Sequence, residues 1–212
     1  MVMASNQRSS ERPLEPHKAF AEIIESSLQG FTAQCWQWDT VPQFGSLVTV
    51  TTKKRTLFGI IHNIKTGSMD PLRYPFPYQK TEEELLREQP QIFEFLKTTF
   101  TCLNIGYSEQ GSIFYLMGPE PPKIHAFVQE ASREQYQLFF SKNRYLHLLF
   151  NQAAQVGSLD ELLLAILKNL RGLGLLTEEK THAFLEAFSL LTGNDYRHMK
   201  LFLQRAQAIL QI

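Results

Sequence analysis

The sequence is poor in cysteine and carries no net charge, and each shortage limits the kind of protein it encodes. Its 212 residues include two cysteines, Cys35 and Cys102, and 21 basic (Lys and Arg) against 21 acidic residues. Both cysteines lie in apolar, strand-like runs, where a buried thiol is the usual occupant and a disulfide is the alternative. The balanced charge argues against a protein that neutralises nucleic-acid phosphates over a large surface.

The motifs on which common catalytic and cofactor sites depend are also missing. The sequence has no G-x-x-x-x-G-K-[ST] and no G-x-G-x-x-G, the glycine-rich loops that hold phosphates at a helix start. The two cysteines are far apart and the six histidines are scattered singly, so neither a zinc-ligand spacing nor a local Cys–His nucleophile pair is present. We therefore expect no metal, no cofactor and no enzymatic activity.

Long hydrophobic runs are absent as well. No apolar stretch approaches the ~20 residues that a bilayer-spanning helix needs. Residues 1–16 are polar and interrupted by proline, unlike a secretion signal, which has a charged start and an apolar centre. These features predict a cytoplasmic protein without membrane association, in which residues 1–17 form a disordered tail.

What the sequence does contain divides it into a β-rich front and a helical rear. Hydrophobic residues make up 43% of the chain and 16 are phenylalanine, enough to form a core. Short apolar runs separated by Gly and Pro predict about seven strands, among them residues 112–117 and 124–128. Residues 47–52 and 56–64 form the strongest hairpin, in which Gly59 suggests a bulge or a close approach of another backbone. Amphipathic segments follow to the end. We expect an α+β protein: a small closed N-terminal β-barrel over residues 18–130, followed by a C-terminal α-helical bundle over residues 131–212.

Several helix starts are marked by capping-box sequences. Thr81, Ser132 and Ser158 are each followed three residues later by Glu or Gln, so that side chains can satisfy the free amides of the first turn. The segments predicted to be helical in the rear half are 133–140, 143–154, 159–170, 178–192 and 195–210. In the last of these, Asp195 and His198 share a face, where a surface ion pair or a partner of the helix dipole is the expected role.

Residues 65–97 form an insertion in the predicted barrel and include the most unusual stretch of the chain. Its prolines remove backbone donors and exclude both helix and central strand, so a long ordered loop is predicted after residue 65. The loop carries residue types that concentrate binding energy at protein interfaces. A recognition surface is one interpretation, and a strap whose aromatic side chains pack over the barrel is the other. The candidate interaction residues are Met69, Asp70, Arg73, Tyr74, Phe76 and Tyr78.

A second candidate surface lies at the turn between the two strands of the strongest hairpin. Lys53, Lys54 and Arg55 follow one another there, with aromatic residues nearby, as in oligonucleotide-binding barrels. Three charges at a turn are usually only solvated. The turn therefore predicts a weak nucleic-acid contact, as an alternative to protein binding.

With these residues laid out, the front half resembles the HAS-barrel family, the small β-barrel at the N-terminus of HerA-type ATPases and rotary ATP synthase subunits. The likeness lies in I-I-E-S-S and F-T-A-Q within residues 23–34, F-G-S-L-V-T-V at 44–50, L-F-G-I-I-H-N-I at 57–64 and P-P-K-I-H-A-F-V at 121–128. The chain is similar to stand-alone members with a T-G-S-M-D-P-like loop and a following Q-P-Q-I-F-E-F-L segment. The resemblance covers residues 18–130 and not the helical half.

The resemblance implies a role in assembly rather than in catalysis. Large members of the family continue from the barrel into a P-loop ATPase domain, whereas this chain continues into helices. The implied function is a non-enzymatic protein-interaction and assembly module, with a ring ATPase or a second copy of the chain as its partner. A nucleic-acid-binding accessory factor in DNA processing is the alternative.

Overall fold

The computed structural model describes residues 19–70, 72 and 75–210 of the chain. It confirms the predicted α+β class, because a closed six-stranded β-barrel in the N-terminal half is followed by helices. The predicted tail, residues 1–17, lies outside the described residues.

Within the described residues, seven antiparallel strands form one sheet, and six of them close the barrel. Around the barrel the order is β2-β1-β7-β3-β4-β5, and β5 pairs again with β2 to close it; β6 pairs with β5 alone. The strands are β1 (Ala19–Ser26), β2 (Gly30–Cys35), β3 (Leu47–Thr51), β4 (Thr56–Ser68), β5 (Leu96–Glu109), β6 (Ser112–Phe114) and β7 (Phe127–Glu130).

The barrel interior is filled by small and branched side chains and two phenylalanines, from alternate positions of its strands, as the two-residue period of a strand requires. The register of β4 against β5 shifts between Phe58 and Gly59, an irregularity of the kind that a β-bulge produces. Both cysteines are free and buried in this interior, as expected. Its buried residues are Ala21, Ile23, Phe31, Ala33, Cys35, Val48, Val50, Leu57, Ile61, Phe100, Cys102 and Val128.

The helices begin close to the predicted positions. Thr81 and Ser132 each form both hydrogen bonds of a capping box, whereas Ser158 only accepts a hydrogen bond from the amide of Glu161. The helices are α1 (Glu82–Glu88), α2 (Arg133–Phe139), α3 (Tyr145–Asn151), α4 (Leu159–Gly172), α5 (Glu178–Leu191) and α6 (Tyr196–Leu210), with 3₁₀ turns at Pro90–Phe95 and Ala153–Gln155.

Strands β4, β6 and β7 differ from the predictions. β4 runs on to Ser68, past the predicted start of the loop, and pairs with β5 through Thr66 and Thr98, whose hydroxyl oxygens are 2.7 Å apart. The strand predicted at 112–117 ends at Phe114, where its pairing with β5 stops at Tyr107. The strand predicted at 124–128 begins only at Phe127, because His125 has φ of 67° and interrupts the extended chain.

A second core joins the barrel to the helices. Tyr136 of α2 lies under β3, and its hydroxyl accepts a hydrogen bond from the Leu47 amide at 2.6 Å. The side chains that strands contribute to this core are those of Leu47, Phe58, Ile60, Leu103 and Ile105; the helices contribute chiefly Tyr136, Phe139, Tyr145, Leu146, Leu149, Leu163, Ile166, Leu167, Phe184, Phe188 and Phe202. The helical half is therefore packed against one side of the barrel.

Candidate functional site: an apolar groove at the end of the β4–β5 ribbon

Strands β4 and β5 extend beyond their neighbours as a two-stranded ribbon. The last pair that β2 makes with β5 is Gln34 with Thr99, and the ribbon continues through Gly67 with Lys97 and Ser68 with Leu96. The chain between the two ribbon ends carries the loop, α1 and the first 3₁₀ turn.

This segment and the ribbon ends line an apolar groove of about 600 Å³, which we call the distal groove. One wall comes from the loop after β4, and the other from α1 and the 3₁₀ turn. The lining residues are Ser68, Met69, Asp70, Pro75, Phe76, Tyr78, Leu85, Ile92, Phe93, Phe95 and Leu96.

Specific contacts hold the two walls of the distal groove together. The Met69 amide donates a hydrogen bond to the Phe95 carbonyl oxygen at 2.7 Å, which joins one wall to the other. The Trp38 ring stacks on the Phe93 ring with centroids 5.3 Å apart, and the Thr98 hydroxyl donates to the Trp38 carbonyl oxygen. The stack attaches the 3₁₀ turn to Trp38, and the hydrogen bond attaches Trp38 to β5.

Helix α1 is short and depends on its capping interactions. The Thr81 backbone amide donates to the Glu84 carboxylate at 2.8 Å, and this bond lowers the pKa of that carboxyl below its usual range. The Lys80 ammonium donates a hydrogen bond to the Glu88 carboxylate, which raises the pKa of Lys80. These bonds fix the position of Leu85, the residue of α1 that lines the groove.

Large apolar side chains at the distal groove are exposed. The exposed fractions are 70% for Phe76, 53% for Phe95 and 46% for Met69, and the Phe76 and Tyr78 rings meet edge to face with centroids 5.6 Å apart. A strap packed over the barrel would bury these rings. An exposed apolar groove of this size is the kind of surface that binds a ligand or a protein segment.

Four of the six residues predicted in the loop line the distal groove: Met69, Asp70, Phe76 and Tyr78. The Asp70 carboxylate accepts a hydrogen bond from the Leu72 amide at 2.9 Å and so also shapes the loop. Arg73 and Tyr74 lie outside the described residues.

Sequence reasoning missed the opposite wall. The spacing of Ile92, Phe93 and Leu96 predicts one apolar stripe of a short helix but assigns that stripe no binding role, and Phe95 does not stand out. The signal that would have found them is the density of large apolar residues in a segment too short to enclose a core of its own.

The basic turn lies at the other end of β4 from the distal groove, so the two predicted surfaces are separate. Lys53 and Lys54 are exposed there. The Arg55 side chain is only 12% exposed; its guanidinium lies 3.5 Å from the Glu109 carboxylate and over the Tyr107 ring. Two free lysines therefore carry the charge of this turn.

The titratable residues inside the barrel are poorly suited to nucleophilic chemistry. Burial raises the pKa of Cys35 to about 11 and that of Cys102 well above its usual value, so both thiols are protonated at neutral pH. His62 shares a small cavity of about 150 Å³ with Cys102, and burial lowers its pKa. Among the described residues, no three His, Cys, Asp or Glu side chains cluster as metal ligands would.

Comparison with known proteins assigns the chain to no group. No protein-family model matches it, and no curated protein is significantly similar to it. Within the described part of the chain, every helix is too short or too polar to span a lipid bilayer.

Proposed function

We propose that this protein is a non-enzymatic interaction module that binds a segment of a protein partner in the distal groove. The observation that carries the proposal is the exposure of large apolar side chains, led by Phe76 and Phe95, in a groove whose walls are joined by a backbone hydrogen bond and whose Phe93 ring is held by a stack on Trp38. Exposing such side chains to water is unfavourable unless a partner covers them. Aromatic residues in a preformed groove are also the usual anchors of protein interfaces.

The kind of partner is suggested by the resemblance to HAS barrels. In that family the barrel serves assembly, which supports a ring ATPase, or a second copy of this chain, as the protein that occupies the groove. The proposed location of this encounter is the cytoplasm.

Nucleic-acid binding, the alternative, has less support. Phosphate recognition at the basic turn would depend on Lys53 and Lys54, since Arg55 already pairs with Glu109. Binding through phosphates weakens steeply between low and moderate salt, whereas binding in an apolar groove does not. Measuring the binding of single-stranded DNA at both salt concentrations separates the two functions.

Affinity purification with matched variants tests the proposed function. The double change Phe76→Ser and Phe95→Ser removes two exposed rings from the groove. The control is Leu190→Ser with Leu201→Ser, which removes two side chains of similar exposure, 73% and 53%, from α5 and α6. We expect a partner recovered from native extract by the wild-type chain and the control to fall at least about tenfold with the groove variant.

Quantitative mass spectrometry of the recovered proteins gives the answer. Equal recovery with all three chains, or no partner and no self-association with any of them, would contradict the proposed function. Retained folding of each variant is checked by circular dichroism, since all four substitutions are at exposed positions.

A further inference from the structure

The outer edge of β4 is open beyond the point where β3 leaves it. β3 pairs with β4 as far as Ile60, and Ile61 then exchanges backbone hydrogen bonds with residues 45–46. β4 continues through residues 62–68, where its strand pairs are all with β5. Within the described part of the chain, no strand other than β3 pairs along this side of β4. The β4–β5 ribbon therefore has an unpaired strand edge.

The pairing of β4 with β5 determines which backbone groups face this edge. The Met69 amide donates to the Phe95 carbonyl oxygen, so the neighbouring pair of the ladder, which contains Ser68, exchanges no hydrogen bonds. Alternate pairs of an antiparallel ladder are alike, and Thr66 and Ile64 therefore belong to the same class as Ser68. The N–H and C=O groups of these three residues point away from β5. Among the described residues, no group forms a hydrogen bond with them.

The open edge leads into the distal groove. Ser68 and Leu96 form the last pair of the ribbon, and both line the groove. Their side chains lie on the same face of the ribbon as that of Thr98, which is fully buried. A strand laid along β4 would have the same two-residue period, so every second side chain would lie on the groove side.

The opposite face of the ribbon carries positive charge. Lys65 and Lys97 lie on it, since they alternate with Thr66 and Leu96 along their strands. Neither lysine forms an ion pair with another described residue. If the open edges of two copies paired as antiparallel strands, the lysines of both copies would lie on one face of the joined sheet, where like charges repel. The edge therefore favours a different chain, with acidic or uncharged side chains on this face.

We infer that a segment of a partner protein binds as an extended strand along the open edge of β4, with alternate apolar side chains in the distal groove. This inference rests on the proposed function and adds the conformation and residue pattern of the bound segment. The backbone groups of Ile64, Thr66 and Ser68 supply hydrogen bonds to any extended chain, and the groove selects its side chains. A helix bonds its own backbone internally and could not satisfy this edge.

Amide hydrogen exchange followed by NMR tests the inference. A phage-displayed library of random peptides is panned against the wild-type chain, and peptides that also bind the Phe76→Ser, Phe95→Ser variant are removed. In the free protein the amides of Ile64 and Thr66 should exchange fast, and that of Lys65, which faces β5, slowly. A selected peptide should slow exchange at Ile64 and Thr66 at least about tenfold and change Lys65 far less.

A proline variant isolates the edge from the groove. Thr66→Pro removes an outward N–H without breaking a bond between β4 and β5, so the fold should tolerate it. The matched reference is Thr66→Ala, which also loses the hydroxyl that contacts Thr98 but keeps the N–H. We expect a selected peptide to bind Thr66→Pro at least about fivefold more weakly than Thr66→Ala, since a hydrogen bond is lost and the proline ring obstructs the edge. Isothermal titration calorimetry gives the affinities.

The outcomes separate the inference from the function beneath it. Groove-dependent peptides that protect neither Ile64 nor Thr66, or that bind both Thr66 variants equally, would overturn strand addition and leave the interaction function standing. A wild-type chain that is dimeric by light scattering, and monomeric as Thr66→Pro, would overturn the partner segment in favour of a second copy. A selection that yields no peptide dependent on Phe76 and Phe95 would overturn the proposed function, and the inference with it.

Discussion

At Gly30, the first residue of β2, the backbone of β2 lies directly against that of β5, where the barrel closes. A Cβ atom built on Gly30 would be 2.1 Å from the Cys102 carbonyl oxygen, far inside the distance that two such atoms tolerate. The obstacle is backbone, which cannot rotate away as a side chain would. Closure of the barrel therefore depends on the absence of a side chain at this position.

Gly30→Ala should destabilise the protein by about 1–3 kcal/mol, the usual cost of forcing extra volume into a packed site. The methyl group must push β2 and β5 apart where their pairing closes the barrel. Gly67→Ala is the control, because Gly67 also lies in a strand but has no atom within 4 Å of the added Cβ. Urea denaturation gives the free energies of unfolding of both variants. Equal values would contradict the claim that closure of the barrel requires the absence of a side chain at Gly30.

Among the elements, α2 holds a central place because its Tyr136 side chain reaches β3. The Tyr136 hydroxyl is buried and accepts the hydrogen bond of the Leu47 amide at 2.6 Å. Burial raises the pKa of Tyr136 to about 12, so the neutral phenol persists in the folded protein above the pH at which a free tyrosine ionises.

Tyr136→Phe should lower the free energy of unfolding by about 1–3 kcal/mol at pH 8, because the buried Leu47 amide loses its acceptor. The difference in the free energy of unfolding between the wild type and this variant should be smaller at pH 10.5. The Tyr136 phenol of the unfolded wild-type chain ionises above pH 10, whereas that of the folded chain stays neutral up to a pKa of about 12. Ionisation therefore favours the unfolded chain in this range, and the contribution of Tyr136 to stability falls as pH rises from 10 through 12.

Urea titrations of both chains at the two pH values give this difference directly. The other buried tyrosines and cysteines are common to both chains and cancel. Tyr196→Phe is the control, since Tyr196 is 78% exposed. A difference in the free energy of unfolding between wild type and Tyr136→Phe that stays constant or grows with pH would contradict the role assigned to the buried phenol.

The elements that sequence predicts best are those with local signals. α4 and α5 begin and end within two residues of their predicted bounds, because a capping Ser or Thr marks the start of each and a glycine follows each end. α3 was predicted at 143–154 but covers Tyr145–Asn151, after which the chain tightens into a 3₁₀ turn. Such a change in winding depends on packing and has no sequence signature of its own.

Part of the candidate site can also be predicted from the sequence, because that part depends on local signals. Phe76 and Tyr78 stand out by residue type in a proline-rich loop, so the loop wall could be named from the sequence. The helical wall could not, because its exposure depends on the long-range pairing of Ser68 with Leu96, which places the segment at the end of a ribbon. His198 shows the same limit: its backbone amide bonds Asp195 as local spacing suggests, but its ring lies 2.9 Å from the Asp160 carboxylate on another helix.

At the scale of the whole molecule, barrel and helices share one of the two cores. The strand residues Leu47, Phe58 and Ile60 pack in the same cluster as the helix residues of the rear half. A buried hydrogen bond from the Gln152 side chain to the Asn104 carbonyl oxygen, 3.2 Å long, adds a polar link between the two halves. Separating the two halves would expose the apolar side chains of this cluster to water and would lose the free energy of their burial.

We therefore predict that the two halves unfold in one cooperative transition, although the change in sequence pattern near residue 130 suggests two domains. The chain offers separate probes, since its two tryptophans, Trp36 and Trp38, both belong to the barrel half, while the helical half dominates the circular dichroism signal at 222 nm. Urea titrations followed by tryptophan fluorescence and by circular dichroism should have the same midpoint and slope. A helical signal lost at lower urea than the fluorescence change would contradict the prediction and show that the helices are a separate, weaker unit.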